Sequence, residues 1–382
     1  MLLAVEDEEF RARARDWLTT HLTGEFAPLV GLGGPGREHE HFELRRAWER
    51  HLAAAGWTCL GWPVEHGGSA ASLAQQVAFH EEYAAAGGPA RVNHLGEQLL
   101  GPTLIAHGTP AQQARFLPRI AAADELWCQG YSEPGAGSDL AAVATRAELD
   151  GDEWVLTGQK TWTSLALQAD WCFVLARTDP ASQRHRGLSY LLVPMDQPGV
   201  EVRPIRQLTG TSEFNEVVFD RARTPRDLVV GEVGDGWRVA LATLAFERGV
   251  STLGQQIGFR RELARLTEQA RANGALDDPL LRADLNRADQ ELDVLRAHAL
   301  RALGSTDHGP ASVAKLLWSR WHRRLGELAM RVRGAPALVV GEQHELDAWQ
   351  SLHLFTRADT IYGGSDEVQL NIIAERVLGL PR

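Results

Sequence analysis

The chain reads as an α+β protein built from three successive units: helical, strand-rich, then helical again. Three observations predict this. Up to about residue 123 apolar residues recur at helical spacing, as in Phe10, Ala14 and Leu18. From about residue 124 the period becomes alternating, with turn signals at regular intervals. At Gly236-Trp237 the helical period returns and persists to about residue 330. A length of 382 residues is too much for one core. The expected units are 1–123, 124–231 and 232–382.

The first unit is a run of helices. Residues 5–23 place Phe10, Ala14, Leu18 and His21 on one face. Val30 to Arg37 holds four glycines and a proline and breaks the pattern. It reads as a surface connection, with a lid as the alternative. A second helix over 40–55 stops at Gly56, and Trp57 and Trp62 anchor the turn that follows. Helices are expected over 70–86 and 91–107. Thr109 and Pro110 open another, as N-cap and first helical residue.

In the second unit the expected strands are Val143–Ala147, Trp154–Leu156, Trp171–Ala176, Leu188–Val193 and Asn215–Phe219. Asp150-Gly151-Asp152 is a hairpin signal. The pattern predicts a small antiparallel β-barrel or sandwich ending near Leu228–Gly231. In the third unit 284–303 and 310–330 read as long, mutually packed helices. A last helix over about 365–378 stops at Gly379, with Pro381 beyond it.

Composition excludes several classes. A net charge of −11 argues against a nucleic-acid partner. No apolar run approaches the roughly 20 residues that span a bilayer. The first nine residues are acidic rather than a basic-then-apolar leader. Cys59, Cys128 and Cys172 lack paired or metal-ligand spacing and read as reduced core residues of a cytoplasmic protein. The histidines show no metal-binding spacing, so no metal is expected.

The chemistry concentrates in two runs. Trp127 to Leu140 is rich in Gly, Pro and Ser, and Thr157 to Ser164 forms a second polar loop carrying Trp162. Gly135 and Gly137 permit close ligand approach or positive φ. Successive backbone N–H groups there can cradle an anion. Ser132 and Ser138 add hydroxyls, and Trp162 could cover a flat ring. The run lacks the third Gly of a dinucleotide fingerprint.

Taken whole, Ser132-Glu133-Pro134 leading into Gly137-Ser138-Asp139, followed by Gly158-Gln159-Lys160-Thr161-Trp162-Thr163-Ser164, resembles the acyl-CoA dehydrogenase family. Gly108-Thr109-Pro110 and Gly56 to Gly68 match the family's first unit. The resemblance spans essentially the whole chain. It implies a helical N-terminal domain, a middle β domain and a C-terminal four-helix bundle. It also implies bound FAD, with Gln129, Tyr131, Ser132, Gly137, Ser138, Trp162, Ser164 and Ser365 as cofactor contacts. Ser138 would also meet the substrate's pantetheine and phosphate end.

The family abstracts a proton alpha to a thioester carbonyl, a task for a carboxylate whose pKa burial has raised. In most members that carboxylate lies in a Tyr-Glu-Gly motif. Here the run is Tyr362-Gly363-Gly364, so glycine stands at the usual base position. Phe246, Val250, Leu253 and Ile257 form an apolar helical stripe, and Glu247, Ser251, Gly254 and Gly258 form its neighbour. From spacing alone Glu247 could be an ordinary half-exposed helix carboxylate. The resemblance points to the subset, including isovaleryl-type and long-chain-type members, that carries its base on this helix as Glu before Arg. It makes Glu247 the base and Arg248 a substrate contact. Asp366 and Glu367 are the next candidates, and Glu133 is expected to be structural. At Gly363 the resemblance implies a backbone N–H that hydrogen-bonds the thioester carbonyl.

The implied reaction is α,β-dehydrogenation of an acyl-CoA to the trans-2-enoyl thioester, with an electron-transferring flavoprotein as acceptor and a tetramer, or a dimer, as the assembly. At the adenine end the family's Arg-x-x-Phe-Gly and Gln-x-x-Gly-Gly become Arg271-Ala272-Asn273-Gly274-Ala275 and Arg331-Val332-Arg333-Gly334-Ala335. Those motifs normally serve a neighbouring subunit's cofactor. A subunit of a hetero-oligomeric, steroid side-chain type dehydrogenase is therefore an alternative, as is an acyl-carrier-protein substrate.

Overall fold

The computed structural model describes residues 5–34, 36–246, 251–303 and 309–381. The N-terminal helices are α1 (Val5–His21), α2 (Phe42–Ala54), α3 (Leu73–Ala86), α4 (Gly101–His107) and α5 (Pro110–Ala121), with a π-helical turn at Gly96–Leu100 leading into α4. Thr109 caps α5 with Pro110 in its first turn, as the sequence predicts, and Gln112 completes a reciprocal capping box. Phe10, Ala14 and Leu18 of α1 pack with Trp48, Leu52, Phe79 and Tyr83 in one core. Trp57 stacks on Phe79 with 5.3 Å between ring centroids and meets Phe10 edge-on at 5.5 Å. Trp62 is buried, so both tryptophans anchor packing.

The Gly-rich run is neither a free lid nor a plain connection. Gly36 and Glu38 donate their backbone N–H groups to the two oxygens of Glu213, at 2.8 and 2.9 Å. Arg45, fully buried, donates to the carbonyls of Glu38 and Ala90. A Cβ at Gly36 would meet the Phe355 ring at 3.2 Å. Glycine is needed there because the strap runs flush against that ring.

The strands are β1 (Trp127–Gly130), β2 (Arg146–Asp150), β3 (Glu153–Ser164), β4 (Trp171–Arg177), β5 (Leu188–Pro194), β6 (Val200–Ile205), β7 (Phe214–Pro225) and β8 (Val229–Val230). They form an eight-stranded sheet in the order β6-β7-β3-β2-β4-β5-β8, with β1 beside β4. Most pairs are antiparallel, as the alternation predicts. The expectation of a wholly antiparallel unit needs correcting, because β1 runs parallel to β4 and Arg146 bridges Arg177 in parallel. Sequence reading also missed β1 and β6. It took Thr157–Ser164 for a loop, whereas those residues complete β3. Alternate residues of β4 serve two cores. Cys172, Val174 and Ala176 face the sheet's own interior, while Phe173 and Leu175 pack with Leu104 of α4 and Phe116 of α5.

The C-terminal helices are α6 (Gly236–Phe246), α7 (Ser251–Ala272), α8 (Pro279–Leu303), α9 (Gly309–Arg333), α10 (Ala348–Phe355) and α11 (Asp366–Ile372). The predicted long pair corresponds to α8 and α9, whereas α10 was missed. Phe259 and Leu263 of α7, Leu285 and Leu292 of α8, and Trp321 and Leu325 of α9 share one core. Cys59, Cys128 and Cys172 are free thiols in the interior. No described helix is long and apolar enough to cross a membrane.

Candidate active site

The loop after β1 is fastened to β3 by one buried ion pair. Lys160 Nζ lies 2.7 Å from Glu133 Oε1 and also donates to the carbonyls of Tyr131 and Leu175, at 3.1 and 2.7 Å. The Glu133 carboxylate accepts further from the N–H groups of Ala144 and Thr145, at 2.6 and 2.9 Å. Burial would raise the Glu133 carboxyl, but the Lys160 ammonium and these donors outweigh it and hold the group below the usual carboxylate range. Thr161 N donates to Ser132 O at 2.9 Å and completes the clamp. Glu133 is thus structural, as expected.

The clamp sits beside a bulge. Lys160 pairs with Val217 and Thr163 with Asn215, so two residues of β3 oppose one of β7. Trp162 occupies the bulge with φ +57°. Left-handed backbone is costly for an aromatic residue. Here it turns the indole outward, 59% exposed, with its edge toward Phe214. Ser164 closes β3 opposite Phe214. In the same region the Nε2 of Gln129 and the Oγ1 of Thr163 are buried without a partner. A buried donor without a partner and an exposed flat ring are two features that a planar heterocycle with acceptor atoms would complete. The residues present therefore fit a flavin ring.

Other predicted contacts fall differently. Tyr131 turns its ring into the core, edge-on to Phe173 and Tyr190. Neither Gly135 nor Gly137 has positive φ, and a Cβ at either meets nothing within 4 Å. Of the two reasons for glycine there, the structure removes positive φ. Ser138 is exposed. Beside it Asp139 pairs with Arg184 at 2.9 Å. Arg177, missed in the sequence, donates to the carbonyls of Ala141, Val143, Arg184 and Arg186 and so knots the loop after β4 to the Ser138 loop.

Glu247 and Arg248 lie outside the described residues. Beyond them on α7, a Cβ at Gly258 would meet nothing within 4 Å, and one at Gly254 only the His80 carbonyl at 4.0 Å. The space expected beside this helix is present. The rival carboxylates are otherwise engaged. Asp366 pairs with Arg320 at 2.7 Å. Glu367 is exposed, and the backbone N–H at the start of α11 holds it below the usual carboxylate range. Gly363 has φ +62°, which favours glycine at the position where the family usually carries its base. Gln369 Nε2 reaches the carbonyls of Gly363 and Gly364, at 3.3 and 3.4 Å. Ser365 caps α11 by accepting from Val368 N. Among the described residues no group of three or more potential metal ligands occurs.

Three family profiles cover nearly all of the chain: acyl-CoA dehydrogenase N-terminal domain at residues 5–124, middle domain at 128–222 and C-terminal domain at 234–378. The chain belongs to the acyl-CoA dehydrogenase family. Among relatives, the acyl-CoA dehydrogenase IpdE1 of Mycobacterium tuberculosis is 67% identical over 98% of each chain. IpdE1 of Mycolicibacterium smegmatis is 63% identical over 99% of each. Among solved structures, the Tcur3481-Tcur3483 steroid ACAD superposes with a TM-score of 0.85 at 30% identity, covering 100% of this chain and 99% of that one. The ChsE4-ChsE5 complex of Mycobacterium tuberculosis gives 0.83 at 32%, with 100% and 99% covered. As an acyl-CoA dehydrogenase the protein is an oxidoreductase, and its reaction at the level of the family is dehydrogenation of an acyl-CoA.

Proposed function

We propose that this chain removes the α proton and β hydrogen of an acyl-CoA to give the trans-2-enoyl thioester. The observations that support the cofactor reading are the orphaned Gln129 amide on β1 and the outward, exposed Trp162 indole on β3. FAD, when bound, would accept the β hydrogen as hydride. Gln129, Tyr131, Ser132, Gly137, Ser138, Trp162, Ser164 and Ser365 would hold it. Glu247 takes the α proton on its carboxylate, Arg248 contacts the substrate, and Ser138 meets its pantetheine and phosphate end. The Gly363 N–H donates to the thioester oxygen, where negative charge develops as the proton leaves. The proposal extends to three domains at 1–123, 124–231 and 232–382. The breaks between α5 and β1 and between β8 and α6 support those boundaries. An electron-transferring flavoprotein as acceptor, a tetrameric state and a cytoplasmic location complete the reading.

The test is anaerobic titration with a panel of acyl-CoA thioesters while the flavin spectrum is followed. Bleaching by at least one thioester is the expected result. Bound flavin that no CoA thioester bleaches would replace this reading with an acyl-carrier-protein substrate or other chemistry. Trp162→Ala is expected to weaken flavin binding about three- to tenfold, the scale of one aromatic contact of ~0.5–1.5 kcal/mol. The apoprotein should keep its unfolding midpoint because the indole is exposed. Fluorescence titration of apoprotein with FAD measures the first, and denaturant unfolding the second.

One observation favours a mixed oligomer. The two diverged adenine-end runs meet at a cleft of about 570 Å³ lined by Gln269, Asn273, Gly274, Val332, Arg333 and Pro336. Arg333 there is paired with Asp347. The solved relatives are also named as paired chains, one of them a steroid ACAD. In this second reading a different subunit completes the FAD site and the acyl group is steroid-derived. Flavin retained only after co-purification with a partner chain would establish it. Full flavin occupancy in a homo-oligomer would dismiss it.

A further inference from the structure

A buried ionisable chain lies behind the Gly363 turn and plays no part in the reaction as described. His322 of α9 is flanked by two carboxylates. Its Nδ1 lies 2.7 Å from Asp359 Oδ2 and its Nε2 lies 3.0 Å from Glu262 Oε2 of α7. The Phe259 ring stacks on the imidazole at 4.3 Å. Asp359 is fully buried. Its other carboxylate oxygen accepts from Tyr362 Oη at 2.8 Å, and its backbone carbonyl accepts from Lys315 Nζ at 2.6 Å. The Lys315 ammonium also sits over the rings of Trp318 and Tyr362, at 4.0 and 4.5 Å. Every polar group of the Asp359 side chain and its carbonyl is thus engaged from α9 or from Tyr362. Tyr362 is the residue before Gly363.

We propose that Glu262, His322 and Asp359 form a proton-gated latch that positions the turn carrying Gly363. His322 is a positioning residue, since it acts through Asp359 and Tyr362. The proposal rests on the reading of Gly363 N–H as the donor to the thioester oxygen.

The electrostatics follow from the contacts. With both ring nitrogens donating, His322 is the cation between two anions, and Lys315 supplies the second positive charge. Burial alone would lower the imidazole, but the hydrogen bonds to Asp359 and Glu262 raise it to about 9. On α7, Arg261 donates to the Ala85 carbonyl and Arg265 lies over the Trp349 ring, and nearer charged groups are paired. Asp366 of α11 bonds Arg320, Glu291 of α8 bonds Arg324, and Arg357 after α10 bonds Glu327. The folded value lies above the unfolded value of about 6.5. The latch is therefore fully present below about pH 6.5 and is lost as pH rises through about 9. A neutral imidazole has one N–H and can serve only one of the two carboxylates.

The experiment reads the turn directly. Amide hydrogen exchange of the peptide covering residues 356–366, corrected for the intrinsic pH effect, is followed from pH 6 to 9.5 in the full-length protein. The pH profile of turnover is recorded in parallel, with whichever acyl-CoA bleaches the wild-type flavin. Protection of the peptide should fall more than tenfold between pH 6.5 and 9, and turnover should decline along an alkaline limb over the same range. His322→Gln should show the high-pH exchange rate at every pH. Glu262→Gln, a milder change because that side chain is partly exposed, should end both falls at lower pH. Protection that is flat with pH, or unchanged in Glu262→Gln, overturns the latch. Exchange that shifts while the alkaline limb stays put overturns its positioning role. Shifted exchange in a protein that turns over no thioester leaves the latch standing and removes the proposed reaction instead.

Discussion

Glu247→Gln should leave a folded, flavin-binding protein whose turnover falls about a hundred- to ten-thousand-fold, the range supplied by a positioned general base. Glutamine keeps the shape of the side chain but has no basic oxygen to take the α proton. Stopped-flow bleaching of the flavin by substrate measures the step. The affinity for a thioester should change little, because the lost interaction belongs to the transition state. The structure narrows the alternatives: Asp366 is engaged by Arg320 and Glu367 is exposed at a helix start. An unchanged rate in Glu247→Gln would move the base to a residue outside both runs.

Lys160→Met is expected to lower stability by about 3–5 kcal/mol, the cost of leaving one partner of a buried pair uncompensated. Its side chain is fully buried, and it is the shared donor to Glu133, Tyr131 and Leu175. Denaturant unfolding should show a lower midpoint, and flavin should be retained less well because the Gln129–Ser132 run loses its tie to β3. The double change Lys160→Met with Glu133→Gln should recover part of the loss, since no buried charge then stands alone, while the single glutamine oxygen can accept from Ala144 or Thr145 but not from both. The pH dependence has a defined sign. The Glu133 carboxyl is held below its unfolded value, so its contribution is present above about pH 4.3 and is lost as pH falls through the folded value. The double variant should lack that acid-side loss.

Much of this was legible in the sequence where local pattern and local structure agree. The capped helix at Thr109, the paired periodicity of β4 and β5, and the long α8 and α9 follow from spacing alone. The glycine at 363 and the Gly-Ser-Asp run announced a site because those residue types break the pattern around them. What escaped depends on pairing across the chain. Trp127–Gly130 looks like the edge of a loop until Trp171–Arg177 lies beside it in parallel. The outward turn of Trp162 comes from a bulge, which is defined by β7 and not by β3. The helical spacing of Lys315, Ser319 and His322 marks one face of α9. Their partners off α9 lie 37 to 60 positions away, as with Asp359 at 37 positions from His322 and Glu262 at 60. No window of sequence joins them.

The Gly-rich strap has a consequence for how the protein unfolds. It takes hold of Glu213 just before β7 and lies on Phe355 at the end of α10, and Arg45 of α2 grips its far side. Heat or denaturant that loosens the bundle therefore also removes support from the segment that ties helices to sheet. The three parts should melt in one transition rather than three, as a single foldon at this seam. Cutting the strap with a protease should split the calorimetric peak, with the sheet keeping its own midpoint and the helical parts falling below it.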